Sequence, residues 1–325
     1  MRFVTLKSAS PDGRLALLAR DRRRVLPVDD LYPTLQAALD DWAAAAPKLG
    51  GHAARLEREP CPGAVPYEAA DALAPLPRSF QWLDGSAFQS HGDLMAKVFH
   101  IDNPQSDRPL MYQGMSHEFL PATADVPLPS EADGIDFEGE FGVITDEVPM
   151  GVSVAAAARH AVLLVQINDW SLRTIAPIEM KTGFGWVQAK PACSVAPVAL
   201  TPDEIGAAWA HERVALPLHV TWNGARFGAA NGAAMRFSFA ELIAHAARSR
   251  RLCAGTVIGS GTVSNENYRE IGSSCIAERR AIELLDEGAP RTPYMKFGDT
   301  VRMVAVGPGG EMPFGVIDQK VVVAR

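Results

Sequence analysis

Residues 135–145 read IDFEGEFGVIT, and this run decides both the fold and the chemistry to look for. Taken as a strand, Ile135, Phe137, Phe141 and Val143 alternate with Asp136, Glu138 and Glu140, so both glutamates share one face. Neighbouring acids on one face repel. On the solvated side of an antiparallel sheet water screens that repulsion, and the pattern marks only an exposed face. Between buried layers the repulsion is costly, and a divalent cation reverses its sign.

Two further stretches separate these readings. Asp169, in INDWSLR at 167–173, follows the apolar run Ala161–Ile167, where an unpaired acid is expensive. Asp84, in LDGSAFQSH at 83–91, follows Trp82 and Leu83 in a loop that also holds Gly85 and His91. Four acids and no cysteine–histidine cluster point to Mg²⁺, Ca²⁺ or Mn²⁺ rather than zinc. A divalent ion cancels half of their charge, and Arg173 and Lys190 are placed to neutralise the rest. Neither HExxH nor GxxxxGK[ST] occurs, and Gly259-Ser260-Gly261-Thr262 reads as a tight turn with Thr262 towards a cleft. A lone histidine is ordinarily a hydrogen-bonded structural residue. His91 differs because its loop also carries a candidate ligand, and an imidazole oriented by a carboxylate can take a proton from water.

Composition narrows the function classes. The chain has 325 residues, 47% hydrophobic and 21% charged, enough for a large core in a soluble globular protein. A formal net charge of −7, with no basic stretch interleaved with aromatics, argues against a nucleic-acid partner. No run approaches the ~18 apolar residues of a membrane span. Cys61, Cys193, Cys253 and Cys275 form no CxxC pair, and the N-terminus lacks the charged-then-apolar order of a signal peptide, so a reduced, cytoplasmic protein is expected.

Residues 1–77 read as a small N-terminal module. Strand signals occur at 3–6, 15–19 and 25–28, and a helix begins near Pro33-Thr34, with Gly50-Gly51 expected to stop it. Five prolines between 60 and 77 suggest a linker. From residue 78 the signals are mostly β. Leu216, Leu218, Val220 and Trp222 lead into the hairpin turn Asn223-Gly224, Ser238 and Glu241 form a capping box, and Val301–Val306 pairs with Phe314–Val323.

In this order LDGSAFQSH, FEGE, NDWSLR, QAKPACS, GSGTVSN and CIAE resemble the fumarylacetoacetate hydrolase family over residues 78–325, and residues 1–77 resemble the small N-terminal domain of its bacterial members. The resemblance implies a β-dominated α+β fold, a mixed β-sandwich roll with a small N-terminal β-plus-helix domain. It implies that Asp84, Glu138, Glu140 and Asp169 bind the metal, and that His91 is a general base paired with Glu278. Arg173 and Lys190 would stabilise developing negative charge, Ser194 and Thr262 would supply hydroxyl contacts, and Tyr112 would face the substrate. A small-molecule diketo acid as substrate and a homodimer follow from the same likeness. The expected activity is metal-dependent hydrolysis of a carbon–carbon bond in a 1,3-diketo acid. The rivals are hydration, decarboxylation or isomerisation of an oxo-acid on the same scaffold, and a non-catalytic metal or small-molecule binder. Two positions depart from the pattern. Ala176 stands where fumarylacetoacetase has a glutamine, and His100 where it has an arginine for the substrate's carboxylate.

Overall fold

The apolar half of the 135–145 alternation, Ile135, Phe137, Phe141 and Val143, packs into one core between two sheets. In the computed structural model, which describes residues 1–58, 60–99 and 107–324, the run is not one strand. Ile135–Asp136 pairs with Ser171–Leu172, and Gly139–Thr145 is a separate strand with every residue buried. Glu138 lies at the break, where its backbone bridges to Cys275.

Gly139–Thr145 runs through the middle of the larger sheet. On one side lie Ala161–Asn168, Ala199–Leu200, Arg2–Leu6, Arg14–Leu18, Arg24–Pro27 and Val65–Pro66. On the other lie Val257–Gly259, Trp82–Gly85 and Met111–Gly114. A five-stranded sheet, Ala225–Asn231, Pro217–Trp222, Thr300–Ala305, Ile317–Val323 and Val126–Leu128, covers one face. Phe141, Val143 and Leu164 meet Leu218, Val220, Met303 and Ile317 in that layer. Opposite-parity residues Ile144, Leu163, Val165 and Ile167 form a second core with Leu35, Leu39 and Leu49. Burial on both faces explains why 161–167 shows no alternation. Gln166 stitches the sheets, its Nε2 donating to the Met303 carbonyl at 3.1 Å and its Oε1 accepting from the Ala305 N–H at 2.8 Å. The architecture is the β-dominated mixture expected, with parallel pairs at Val257–Gly259/Trp82–Gly85 and Ile317–Val323/Val126–Leu128.

The strands of residues 1–77 continue the larger sheet through Phe3 opposite Ala199. Two local expectations fail here. The helix starts as read, with the Thr34 hydroxyl accepting from Ala37 N–H, but it breaks at Asp41, restarts at Trp42 and runs through Gly50-Gly51 to Leu56. Two glycines cost a helix about 2 kcal/mol relative to alanine, and burial of Leu49 and Leu56 on one stripe offsets that. The proline-rich piece is not a free linker either. Val65–Pro66 closes the sheet edge, where proline's missing N–H does no harm, and Ala72, Ala74 and Leu76 are buried. The other local readings hold. Asn223 and Gly224 take positive φ in the hairpin turn, Ser238 and Glu241 cap each other, and Thr300–Ala305 pairs with Ile317–Val323.

Candidate metal centre

Neighbouring strands of the larger sheet bring the acids together. Gly139–Thr145 carries Glu140, and its antiparallel partner Ala161–Asn168 ends opposite Gly139 and delivers Asp169. On the other side Gly259 lies opposite Asp84, and Asp84 opposite Tyr112. Glu138 joins from the break. One oxygen of each of Asp84, Glu138, Glu140 and Asp169 lies within 4.8 Å of the others, and all four residues are buried. Gly259 makes the approach feasible, since a Cβ there would stand 2.6 Å from Asp84 Oδ1 and 2.7 Å from Glu140 Oε2.

The solvated-face reading of the two glutamates is excluded by burial, and the electrostatics show what the cluster lacks. Burial, then repulsion from Asp169, pushes the Asp84 carboxyl well up, and burial, then Asp84, does the same to Glu140. These two carboxyls lie within 4.8 Å of each other, a meeting of two acceptors that needs a proton or a cation between them. Both Glu140 oxygens are otherwise buried without a donor. Glu138 and Asp169 are better supplied. Lys190 Nζ lies 2.7 Å from Asp169 Oδ2 and 3.0 Å from Glu138 Oε1. Arg173 spans Glu138 at 2.6 Å and Asp136 at 2.8 Å. Burial alone would raise Glu138, but Lys190 and Arg173 outweigh it and hold it well below the usual carboxylate range. A set of buried oxygens short of donors, with two cations covering part of the charge, suits a hard divalent ion.

His91 and Glu278 sit next to this cluster. His91 lies in the Gln89–Phe99 helix, and Glu278 in the first turn of Ile276–Glu287. Nδ1 of His91 stands 3.9 Å from Glu278 Oε1, too far for a hydrogen bond, and Nδ1 of His91 and Oε2 of Glu278 are buried without a partner. Ser264 Oγ donates a short hydrogen bond to Glu278 Oε1, and Ser90 Oγ reaches Ser264 at 2.8 Å. The Glu138–Cys275 bridge ties the two groups together.

The remaining expected contacts divide. Tyr112 Oη donates to Asp169 Oδ2 at 2.5 Å, and its ring packs edge-on against Trp186. Ser194 is fully buried, and its hydroxyl accepts from Trp170 Nε1 at 2.9 Å. Thr262 is buried next to Gly261, whose N–H donates to Asp84 Oδ1 at 3.1 Å, so the 259–262 turn holds a carboxylate in place. Ala176 opens a short helix, Ala176–Met180, while His100 lies outside the described residues.

Several contributors were not read from the sequence. Asp136 accepts from the Ile276 and Ala277 N–H groups, capping the helix that carries Glu278 while it also holds Arg173. Ser171 Oγ donates to Glu138 at 2.9 Å, and the Cys193 thiol donates to Asp169 at 2.9 Å. Burial, then Asp169, pushes the Cys193 thiol up; burial, then Asp136, does so for Cys275. Asp136 did carry a signal, the third acid on the alternating face. The two cysteines carried none, and His91, Cys275 and Glu278 form a second group of potential ligand atoms, also within 4.8 Å of one another.

Residues 81–322 match the family model described as fumarylacetoacetate (FAA) hydrolase C-terminal, and residues 1–78 match fumarylacetoacetase N-terminal domain 2. Among curated proteins none matches this sequence. Solved structures share the fold over the whole of both chains. A maleylpyruvate hydrolase from Sphingobium sp. SYK-6, in complex with manganese(II) and pyruvate, is 16% identical with a TM-score of 0.64. A fumarylacetoacetate hydrolase from psychrophilic Exiguobacterium antarcticum is 16% identical, TM-score 0.63. A 5-carboxymethyl-2-hydroxymuconate delta-isomerase from Mycobacterium smegmatis is 16% identical, TM-score 0.58.

Proposed function

Because the chain belongs to the fumarylacetoacetate hydrolase family, whose fold is shared by hydrolases and isomerases, we propose that it hydrolyses a carbon–carbon bond in a 1,3-diketo acid. The observation that carries this choice is the His91–Glu278 pair beside the four carboxylates, each partner with an unpaired buried atom aimed at no other group. Isomerisation or decarboxylation of an oxo-acid uses enolate stabilisation but has no need of a water activator, and hydration, which does take up water, breaks no carbon–carbon bond. A binding protein has no use for either.

Asp84, Glu138, Glu140 and Asp169 would hold a hard divalent ion, Mg²⁺, Mn²⁺ or Ca²⁺, which supplies positive charge for the diketo oxygens and the departing enolate. The chain's own residues do the rest. Glu278, fixed by Ser264 and by its place in the helix, orients His91 through Nδ1. Nε2 then takes a proton from water as the oxygen adds to the carbonyl carbon. The carbon–carbon bond breaks, and the proton held on Nε2 passes to the enolate carbon. Lys190 and Arg173 keep Glu138 ionised and Lys190 holds Asp169 in place while negative charge develops, and Tyr112 and Trp186 line the approach.

The departures at Ala176 and His100 support a substrate smaller or less acidic than fumarylacetoacetate. One lost oxyanion donor costs about 3 kcal/mol of transition-state stabilisation, and an imidazole replaces a permanent charge. The exposed apolar side chains Ile178, Met180, Phe184 and Val187 on one short segment support a homodimer, and four unbridged cysteines support a reducing, cytoplasmic setting. Among the described residues no helix is long and apolar enough to cross a membrane. The test is turnover of acylpyruvates and other diketo acids with Mg²⁺, read by loss of diketo-enolate absorbance and by product mass. Two fragments whose masses sum to substrate plus water support hydrolysis. A product of unchanged mass establishes isomerisation instead.

A further inference from the structure

We infer that His91, Cys275 and Glu278 form a second cation site, for a thiophilic divalent ion such as zinc, distinct from the four-carboxylate site. A histidine nitrogen, a cysteine sulfur and a glutamate oxygen lie within 4.8 Å of one another. Tetrahedral zinc, with bonds of about 2.0–2.3 Å, sets its ligand atoms about 3.5 Å apart. His91 Nδ1 and Glu278 Oε1 already stand at 3.9 Å, a few tenths of an ångström from that spacing.

Two independent observations point to a ligand here. His91 Nδ1 and Glu278 Oε2 are both buried and both lack a hydrogen-bond partner, and Glu278 has no exposed surface at all. Leaving such atoms unpaired is unfavourable, and a cation satisfies both at once. The sulfur sits where the backbone favours charge, against the burial that pushes its thiol up. Cys275 is the N-cap of the Ile276–Glu287 helix, and Sγ accepts from the Glu278 N–H at 3.3 Å, at the positive end of the helix dipole. On binding, the thiol proton leaves and the sulfur bonds the ion. Three protein ligands leave a fourth position for water, and His91 is partly exposed.

The two sites differ in kind. Oxygen alone selects a hard ion; nitrogen, sulfur and oxygen together select zinc. An ion on His91 would also withdraw the imidazole from the water it activates. That consequence rests on the proposed reaction, but the binding does not.

Co²⁺ is the probe, added to the full-length protein with Mg²⁺ in large excess. A cobalt bonded to thiolate gives an intense near-ultraviolet charge-transfer band that an all-oxygen site cannot produce. The band should appear at one equivalent, disappear on addition of Zn²⁺, be abolished in Cys275→Ser, and weaken at least tenfold in affinity in His91→Gln. Cys193→Ser should retain it, because Cys193 belongs to the carboxylate cluster. Far-ultraviolet circular dichroism confirms that each variant is folded. No band in the folded wild-type protein, or a band that survives Cys275→Ser, overturns the site. Zinc inhibition of turnover that survives in folded Cys275→Ser places the ion among the four carboxylates and overturns it as the zinc target.

Discussion

Replacing Glu140 with glutamine changes one charge with almost no change of shape, and it should abolish the protein's response to metal removal. At the 4.8 Å limit of the cluster, two unit charges repel by about 3.5 kcal/mol at an effective dielectric constant of about 20. Glu140 has three acidic neighbours and no donor of its own, so the metal-free chain holds it only by protonation or by strain. Glutamine removes that repulsion and adds a donor facing Asp84. For 325 residues, an unfolding entropy of about 2.1 cal/mol/K per residue makes 1 kcal/mol worth roughly 1.5 °C. Chelator-treated Glu140→Gln should therefore melt up to roughly 5 °C above the chelator-treated parent in mildly alkaline buffer. An ion at a hundred times its Kd stabilises by about 2.7 kcal/mol, or roughly 4 °C, and this increment should be present in the parent and lost in the variant. Differential scanning fluorimetry with and without Mg²⁺ or Mn²⁺ measures both. A variant that melts lower without metal yet keeps the full metal increment would refute the reasoning, because Glu140 would then be a structural acid outside the ion's reach.

Three further outcomes follow from the same geometry. In the absence of metal, stability should fall as pH rises from about 4, because the folded-state pKa of Asp84 is raised by burial and Asp169, and that of Glu140 by burial and Asp84, so the folded chain binds more protons than the unfolded one; saturating Mg²⁺ should flatten that slope in melting curves. His91→Ala should keep the metal-dependent melting increment and lose turnover about a hundred- to ten-thousand-fold, with Glu278→Gln losing less; an unchanged rate in His91→Ala moves the assignment to isomerase or decarboxylase chemistry. Phe184→Asp, at a side chain 97% exposed, should yield monomers in sedimentation velocity, and dimers that persist would place the contact elsewhere.

What the sequence made legible was whatever chemistry is written within one turn or one pleat. Thr34, the Ser238–Glu241 box and Asn223-Gly224 each combine a local period with a residue type that period requires, and each forms as read; of the 135–145 alternation the apolar half packs as read, although the strand breaks at Phe137–Glu138. The Gly50-Gly51 stop failed because propensity is worth only about 1 kcal/mol per glycine, less than the burial of Leu49 and Leu56 that carries the helix on. Ser194 was expected to supply a hydroxyl contact, and only the fold shows that its oxygen accepts from Trp170 Nε1.

The part that stayed hidden depends on register. Asp136 shares its alternation with Glu138 and Glu140, yet the break at Phe137–Glu138 turns it away from the carboxylate cluster to the N-terminus of the Ile276–Glu287 helix. From there it fixes Arg173 against Glu138 and Cys275 against the same strand, so one strand break separates an oxygen cluster from a mixed nitrogen, sulfur and oxygen cluster. The absence of a cysteine–histidine pair in the sequence argued against zinc only for ligands close along the chain. Across 184 residues from His91 to Cys275, the pairing of Glu138 with Cys275 supplies the proximity that spacing could not. Gly259 works by the same logic from the other side: its contribution is the room it leaves between Asp84 and Glu140, which no motif records and which any larger residue would remove.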